Sequence, residues 1–240
     1  MGEPLKKEDI RRVLEFYRAI GVESVPCEPK ARPGTKAKAR RLKTAEQKKG
    51  REEKQKALQA LFNEEIKGCT GCKLSAGRHN IVFGEGNPAA RLMFIGEAPG
   101  REEDLQGRPF VGDAGKLLTS LIEKMGFSRE DVFIANIVKC RPEGNRDPEE
   151  DEIEACLPFL KKQIGIIAPE AIMALGRVAS QTLLGTTVQI IRLRGNFKSY
   201  EGIPLMPTFH PAYLLRNRKD KALTWQDAMQ VLKLLGMDAG

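Results

Sequence analysis

The stretch RLMFIGEAPG at residues 91–100 decides the architecture. Its first half, Arg91–Ile95, is an apolar run of strand length, and its second half is a turn of small residues and proline. Two runs of the same kind follow at Val132–Val138 and Ala171–Leu175. Each of the three leads into a helical pattern, at Ala114–Met125, Pro148–Ile164 and Arg177–Leu184. Strands alternating with helices need crossover connections, so the pattern predicts an α/β fold with a parallel sheet. Asp147, followed by Pro148 and acidic residues, reads as an N-cap, which starts the second helix. Further strands are expected at Gln189–Leu193, Lys198–Tyr200 and Ile203–Met206, and a last helix at Lys221–Leu235. Ligands of open α/β sheets sit at the carboxyl ends of the strands, so the residues just after each strand are where chemistry is sought.

Upstream, Leu5, Ile10, Val13, Leu14, Tyr17 and Ile20 recur at helical spacing and predict an N-terminal amphipathic helix within 1–25. The stretch 26–56 loses that periodicity and reads as a flexible basic linker, its end from Thr44 running helically into Ala57, Leu58, Leu61 and Phe62. It carries twelve Lys/Arg against four Asp/Glu, whereas 57–240 carries twenty-three of each, so the whole formal charge of +8 sits in the linker. That placement suits a segment that raises affinity for a nucleic acid through counterion release. Residues 57–240 then form one domain, expected to act as a monomer, and the helix near 5–20 is a candidate for docking a protein partner. No run of eighteen apolar residues spans a membrane, and the N-terminus lacks the apolar core of a secretory signal, so a cytoplasmic location is expected.

Four motifs carry candidate chemistry. GEAPG at 96–100 ends a strand in a turn whose amides can approach a ligand, with the Glu97 carboxylate projecting; an ordinary strand-to-helix loop is the competing reading. The loop matches neither common phosphate-binding pattern, which argues against nucleoside triphosphate hydrolysis. Cys69 and Cys72 form a C-x2-C pair, with Cys140 and Cys156 following. Such a set suits zinc or an iron-sulfur cluster, and the spacing does not choose between them. Asn136 interrupts an apolar strand with an amide able to read the edge of a base, or to make a structural hydrogen bond. His210 follows the strand 203–206 and either donates to a developing anion or caps a helix from Pro211. His79 reads as structural and Cys27 as an incidental thiol.

Taken together, GEAPGREED at 96–104, GRPFVGDAG at 107–115, NIVKCRP at 136–142, the four-cysteine spacing and HPAYLLR at 210–216 resemble the family 4 uracil-DNA glycosylases over about residues 62–235. The resemblance implies a three-layer α/β/α fold with a central, mainly parallel sheet, and a 4Fe-4S cluster of structural character on Cys69, Cys72, Cys140 and Cys156. It implies uracil-containing DNA as substrate, with the deoxyuridine extruded from the helix before reaction. By the same analogy Phe110 stacks on the uracil, Asn136 bonds its polar edge and the backbone at Ala98 lies against the ring. His210 stabilises the uracil anion and Glu97 orients or activates water. Glu103 is the candidate for refusing the thymine methyl group. Tyr213, Leu214 or Leu215 wedges into the duplex and Arg216 contacts phosphate, although a core role for the two leucines is equally open. The histidine-containing insertion of the relatives that bond covalently to uracil is missing after Asn136, and no lysine nucleophile is indicated. Ordinary turnover to an abasic site is therefore expected. The rival from another class is a non-catalytic DNA-binding module scaffolded by a metal, which leaves Glu97, Phe110, Asn136 and His210 without a purpose.

Overall fold

The computed structural model describes residues 48–237. The expectations for residues 5–20 and for 26–47 lie outside them. The first described element is a helix over 48–61 (α1), ending in a wider π-helical turn at Phe62–Ile66. Residues 48–56, given to the linker from sequence, are thus helical, and Leu58, Leu61 and Ile66 are buried.

In chain order there follow β1 (Glu85–Gly86), β2 (Leu92–Gly96), α2 (Arg101–Gln106), α3 (Asp113–Lys124), β3 (Phe133–Asn136), α4 (Glu150–Ile167), β4 (Ala171–Leu175) and α5 (Gly176–Leu184). The chain closes with α6 (Ile190–Leu193), β5 (Lys198–Tyr200), β6 (Ile203–Thr208), α7 (Pro211–Arg216) and α8 (Lys221–Leu234). The six strands lie in the order β1-β3-β2-β4-β6-β5. The inner four are parallel, and the short β1 and β5 pair antiparallel at the two edges. All the chemistry at the carboxyl ends of β2, β3, β4 and β6 is therefore delivered to one edge of the sheet.

The strands are apolar throughout because both faces are covered. Successive side chains point to opposite faces. Met93, Ile95, Ile172 and Ala174 meet Leu58 of α1, Leu160 and Ile164 of α4 and Ala179 of α5. Leu92, Phe94, Ala171 and Met173 meet Leu118 and Ile122 of α3 and Val231 and Leu232 of α8. Helices cover both faces, which is the three-layer α/β/α arrangement expected from the resemblance. Among the described residues no helix is long and apolar enough to cross a membrane.

Two further expectations are corrected, and one helix is added. Gln189–Leu193 is not a strand: Ile190–Leu193 makes one helical turn. Ile190 and Leu193 stand three apart, a helical spacing, and β5 already occupies that edge of the sheet. Asp147 is not the cap of α4; Glu149 is, in a capping box with Glu152. The loop between the β2 turn and Gly107 contains the helix α2, which six residues with few apolar positions did not announce.

Candidate active site

Asn136 ends β3, Glu97 and Gly176 directly follow β2 and β4, His210 stands two residues after β6, and all four line one cleft of about 690 Å³. Ala98, Glu103 and Phe110 line it too. The cleft exceeds the size of one base and falls in the range of ligand sites generally.

Phe110 is held in an uncommon state. Its φ is +52°, left-handed backbone that a bulky aromatic rarely adopts. Two groups pin the loop. Arg129 donates from Nη1 to the Phe110 carbonyl (3.1 Å) and from Nη2 to that of Pro109 (2.8 Å), while its Nη2 pairs with Glu85 (2.6 Å). Glu103 Oε1 accepts from the amides of Val111 (2.8 Å) and Gly112 (2.9 Å). A Cβ at Gly115 would collide with the Phe110 carbonyl, so the first turn of α3 must be glycine there. The ring stands over Gly96, where a Cβ would come within 2.5 Å of Phe110 Cζ and of Asn136 Oδ1. It lies 5.7 Å from the His210 ring, centroid to centroid.

Asn136 is 1% exposed, and its Oδ1 has no hydrogen-bond partner in the protein. A buried amide oxygen without a partner is costly, which marks a group kept ready for a ligand. Its backbone is fixed by the buried Lys139, whose Nζ donates to the Asn136 carbonyl (2.9 Å) and to Gln163 Oε1 (2.6 Å). Gln163 in turn donates to the Phe83 carbonyl at 2.9 Å.

The two titratable residues differ in state. Burial, then the neighbouring Asp147, pushes the Glu97 carboxyl up to about 7, with Arg177 opposing. Burial pushes His210 down to about 4, so the imidazole is neutral at physiological pH. The Ala212 amide donates to His210 Nδ1 (3.1 Å), which leaves the single ring proton on Nε2. His210 is thus both the cap of α7 and a donor, so the two readings of it are compatible.

The rim is less uniform than expected. Leu214 is 4% exposed and packs inward, because Pro211 and Leu214 share the buried face of α7. Tyr213 and Leu215 face outward, Tyr213 stacking on Phe209 at 4.9 Å and donating its hydroxyl to Asp220 at 2.7 Å. Arg216 lines the cleft, as do Arg146 and Arg177. Ile190 and Ile191 line it as well, with Ile191 exposed.

Cys69, Cys72, Cys140 and Cys156 line one small chamber, separate from the cleft. Their sulfurs accept from the Gly71 amide (3.4 Å to Cys69), the Arg78 guanidinium (3.4 Å to Cys140) and the Lys139 amide (3.2 Å to Cys156). Burial pushes the thiols of Cys140 and Cys156 up, the latter to about 11. Among the described residues no three His, Cys, Asp or Glu side chains gather closely enough to hold a single metal ion. His79 is structural: its Nδ1 meets Asp104 Oδ2 (2.7 Å) and its amide donates to Asp104 Oδ1 (2.9 Å), which ties the cysteine loop to α2.

Sequence reasoning missed Arg129, Asp104, Asp147 and Arg177. The first two act across tens of residues, and no local pattern marks them. Asp147 was visible only as a cap, and Arg177 only as a helix start.

The family model of the uracil DNA glycosylase superfamily matches residues 83–233. The chain is 50% identical over 166 residues to a type-4 uracil-DNA glycosylase of Thermotoga maritima, covering 68% of this chain and 86% of that one. It is 48% identical over 184 residues to the type-4 enzyme of Saccharolobus solfataricus, covering 73% and 85%. It is 47% identical over 184 residues to that of Sulfurisphaera tokodaii, covering 72% and 83%. A family match over more than half of its length and this degree of identity make the chain a member of the uracil DNA glycosylase superfamily, among its type-4 uracil-DNA glycosylases.

Proposed function

We propose that this protein is a monofunctional uracil-DNA glycosylase, hydrolysing the N-glycosidic bond of deoxyuridine in DNA to free uracil and an abasic site. The observation that carries the reading is the meeting, in one cleft, of a neutral His210 with its proton on Nε2 and the unpartnered amide oxygen of Asn136. Uracil enters against the Phe110 ring. Its polar edge bonds the Asn136 amide, and the backbone at Ala98 lies beside it.

As the bond from the sugar C1′ to uracil N1 breaks, the electron pair leaves with the base. His210 donates from Nε2 to uracil O2, where that charge collects. A neutral donor suits this step, since it stabilises an anion without having to lose its own proton. Water adds to C1′, and the ionised Glu97 orients it and takes its proton. Glu103 keeps the Val111–Gly112 turn, and with it the Phe110 ring, in place. Whether it also meets a thymine methyl group is tested by comparing thymine excision in Glu103→Ala with the wild type. Tyr213 and Leu215 are the outward residues of α7 fit to press into the duplex, and Arg216 to meet phosphate.

The four cysteines would hold a 4Fe-4S cluster. Thiols raised by burial ionise when a positive centre is supplied, and in a cluster the four sulfurs spread over several irons rather than closing on one ion. Bound there, the cluster would brace the C-x2-C loop against the strand end that carries Asn136.

A labelled oligonucleotide with one deoxyuridine, incubated with protein and treated with alkali, tests the reading. Alkali-dependent cleavage at uracil, absent at thymine and lost in a Glu97→Gln/His210→Ala double variant, is expected. An uncut strand with folded protein would refute it.

A further inference from the structure

The helix α6 is a single turn, yet it is fastened more firmly than its length requires. Leu193, its last residue, is buried. Arg194, the next residue, donates from Nη2 to the Leu223 carbonyl (2.7 Å) and from Nε to Asp227 Oδ2 (3.1 Å), and its Nη2 also pairs with Asp227 Oδ1. Gln230 Nε2 donates to the Gly195 carbonyl at 3.0 Å. Asp227, fully buried on α8, accepts in addition from the Thr208 hydroxyl at 2.6 Å. Thr208 ends β6, two residues before His210. One carboxylate therefore holds both the end of the strand that delivers His210 and the residue that closes α6. The Arg194 guanidinium also lies 5.5 Å from the centre of the Phe209 ring, which stacks on Tyr213.

What this anchor presents to solvent is apolar. Ile190 and Ile191 line the cleft, and Ile191, 59% exposed, is the most exposed large apolar side chain among the described residues. Val188, two residues before α6, is exposed as well. The charge around them has one sign: from Ala171 to Tyr200 the chain carries four basic residues and no acidic one. Positive charge of this kind suits a phosphate backbone. An apolar tip continuous with the cleft that takes the base, and bordered by positive charge, fits the gap opened in a base stack when a nucleotide leaves it. A side chain can hold such a gap only if its backbone does not yield, and the Arg194–Asp227–Thr208 anchor supplies that stiffness.

We propose that Ile191 is a second wedge, entering the duplex beside the extruded deoxyuridine and packing on the face of a neighbouring base, while Tyr213 and Leu215 press in from α7. This rests on the reading of the protein as a glycosylase that extrudes deoxyuridine. Contact with a base also takes out of water an apolar surface that the free protein leaves exposed. A wedge acts only where a paired stack must be opened, so its contribution differs between duplex and single-stranded DNA.

The test measures single-turnover excision at saturating protein from one uracil oligonucleotide, single-stranded and in duplex, by the wild type, Ile191→Ser and Ile191→Leu. The ratio of duplex to single-strand rate is expected to fall about tenfold in Ile191→Ser and to stay within about twofold of the wild type in Ile191→Leu, which keeps an apolar tip. An Ile191→Ser ratio equal to that of the wild type would overturn the proposal, whether both rates are unchanged or both fall alike, and so would an equal fall of the ratio in Ile191→Leu. A wild type that excises uracil from single strands alone would overturn it too, with the glycosylase reading intact. Wild-type protein that releases no uracil from either substrate would overturn that reading itself.

Discussion

The amide of Ala212 donates to Nδ1 of His210 at 3.1 Å, and this one bond decides which nitrogen of the imidazole carries the proton. Burial keeps the ring neutral down to about pH 4, so Nε2 carries a proton throughout the working range. His210→Ala is expected to lower kcat by about 10²–10³, the usual effect of losing one donor to a developing anion, with KM little changed. Steady-state kinetics on a uracil oligonucleotide checks this.

Glu97 links activity to stability with a sign that can be read in advance. Its folded pKa, about 7, is raised above the ordinary value of 4.5, so the folded state binds more protons than the unfolded state between these values. Its contribution to stability is full below about 4.5 and is lost as pH rises through 7. Glu97→Gln, which carries no charge, should therefore raise Tm relative to the wild type at pH 8 and change it little at pH 4.5. His210 runs the other way: its depressed pKa makes stability fall as pH drops from 6.5 toward 4. Thermal melts across pH separate the two.

The Phe110 loop depends on a clamp that lies elsewhere in the chain. Arg129 ties the Pro109 and Phe110 carbonyls to Glu85. Arg129→Met strands those carbonyls and frees a backbone held at φ +52°, at a cost of about 1–3 kcal/mol for unsatisfied buried groups. A lower Tm together with a tenfold or greater fall in kcat/KM, about 1.4 kcal/mol of transition-state stabilisation, is expected.

Gly96 serves the close approach of two side chains. A methyl there would meet Phe110 Cζ and Asn136 Oδ1 at 2.5 Å, so Gly96→Ala should push the ring and the amide apart. Uracil excision should fall steeply while far-UV circular dichroism stays that of the wild type.

The cluster proposed on the four cysteines predicts that removing iron unfastens the cysteine loop. Chelation under oxidising conditions, or Cys156→Ser, is expected to bleach any visible absorption, lower Tm and expose the segment 69–82 to protease. Protein that keeps the same melt and the same proteolytic pattern without iron would contradict a bracing role for a cluster.

The parallel core was legible in the sequence because its strands are buried on both faces and so read as unbroken apolar runs. Met93 and Phe94 are adjacent in the chain yet serve opposite layers, and both had to be apolar. Glu97, Asn136 and His210 were legible because strand ends are where this fold places ligands, and the structure brings all three to one cleft. Gln189–Leu193 was misread because five residues rich in isoleucine and leucine do not tell a buried strand from one helical turn. Leu214 was unresolved for a related reason: its neighbour Leu215 has the same character, and only the direction in which α7 docks tells which faces out. Arg129, Asp104 and Asp147 act through contacts across the chain, and nothing near them in sequence marks the partner.

The most direct test of the account is to measure what leaves the DNA. Mass spectrometry of the products from a duplex with one deoxyuridine should find free uracil, one per abasic site, with the phosphodiester backbone intact until alkali is added. Free uracil below the abasic count, uracil still joined to the protein, or a strand cut without alkali would contradict a monofunctional hydrolytic glycosylase.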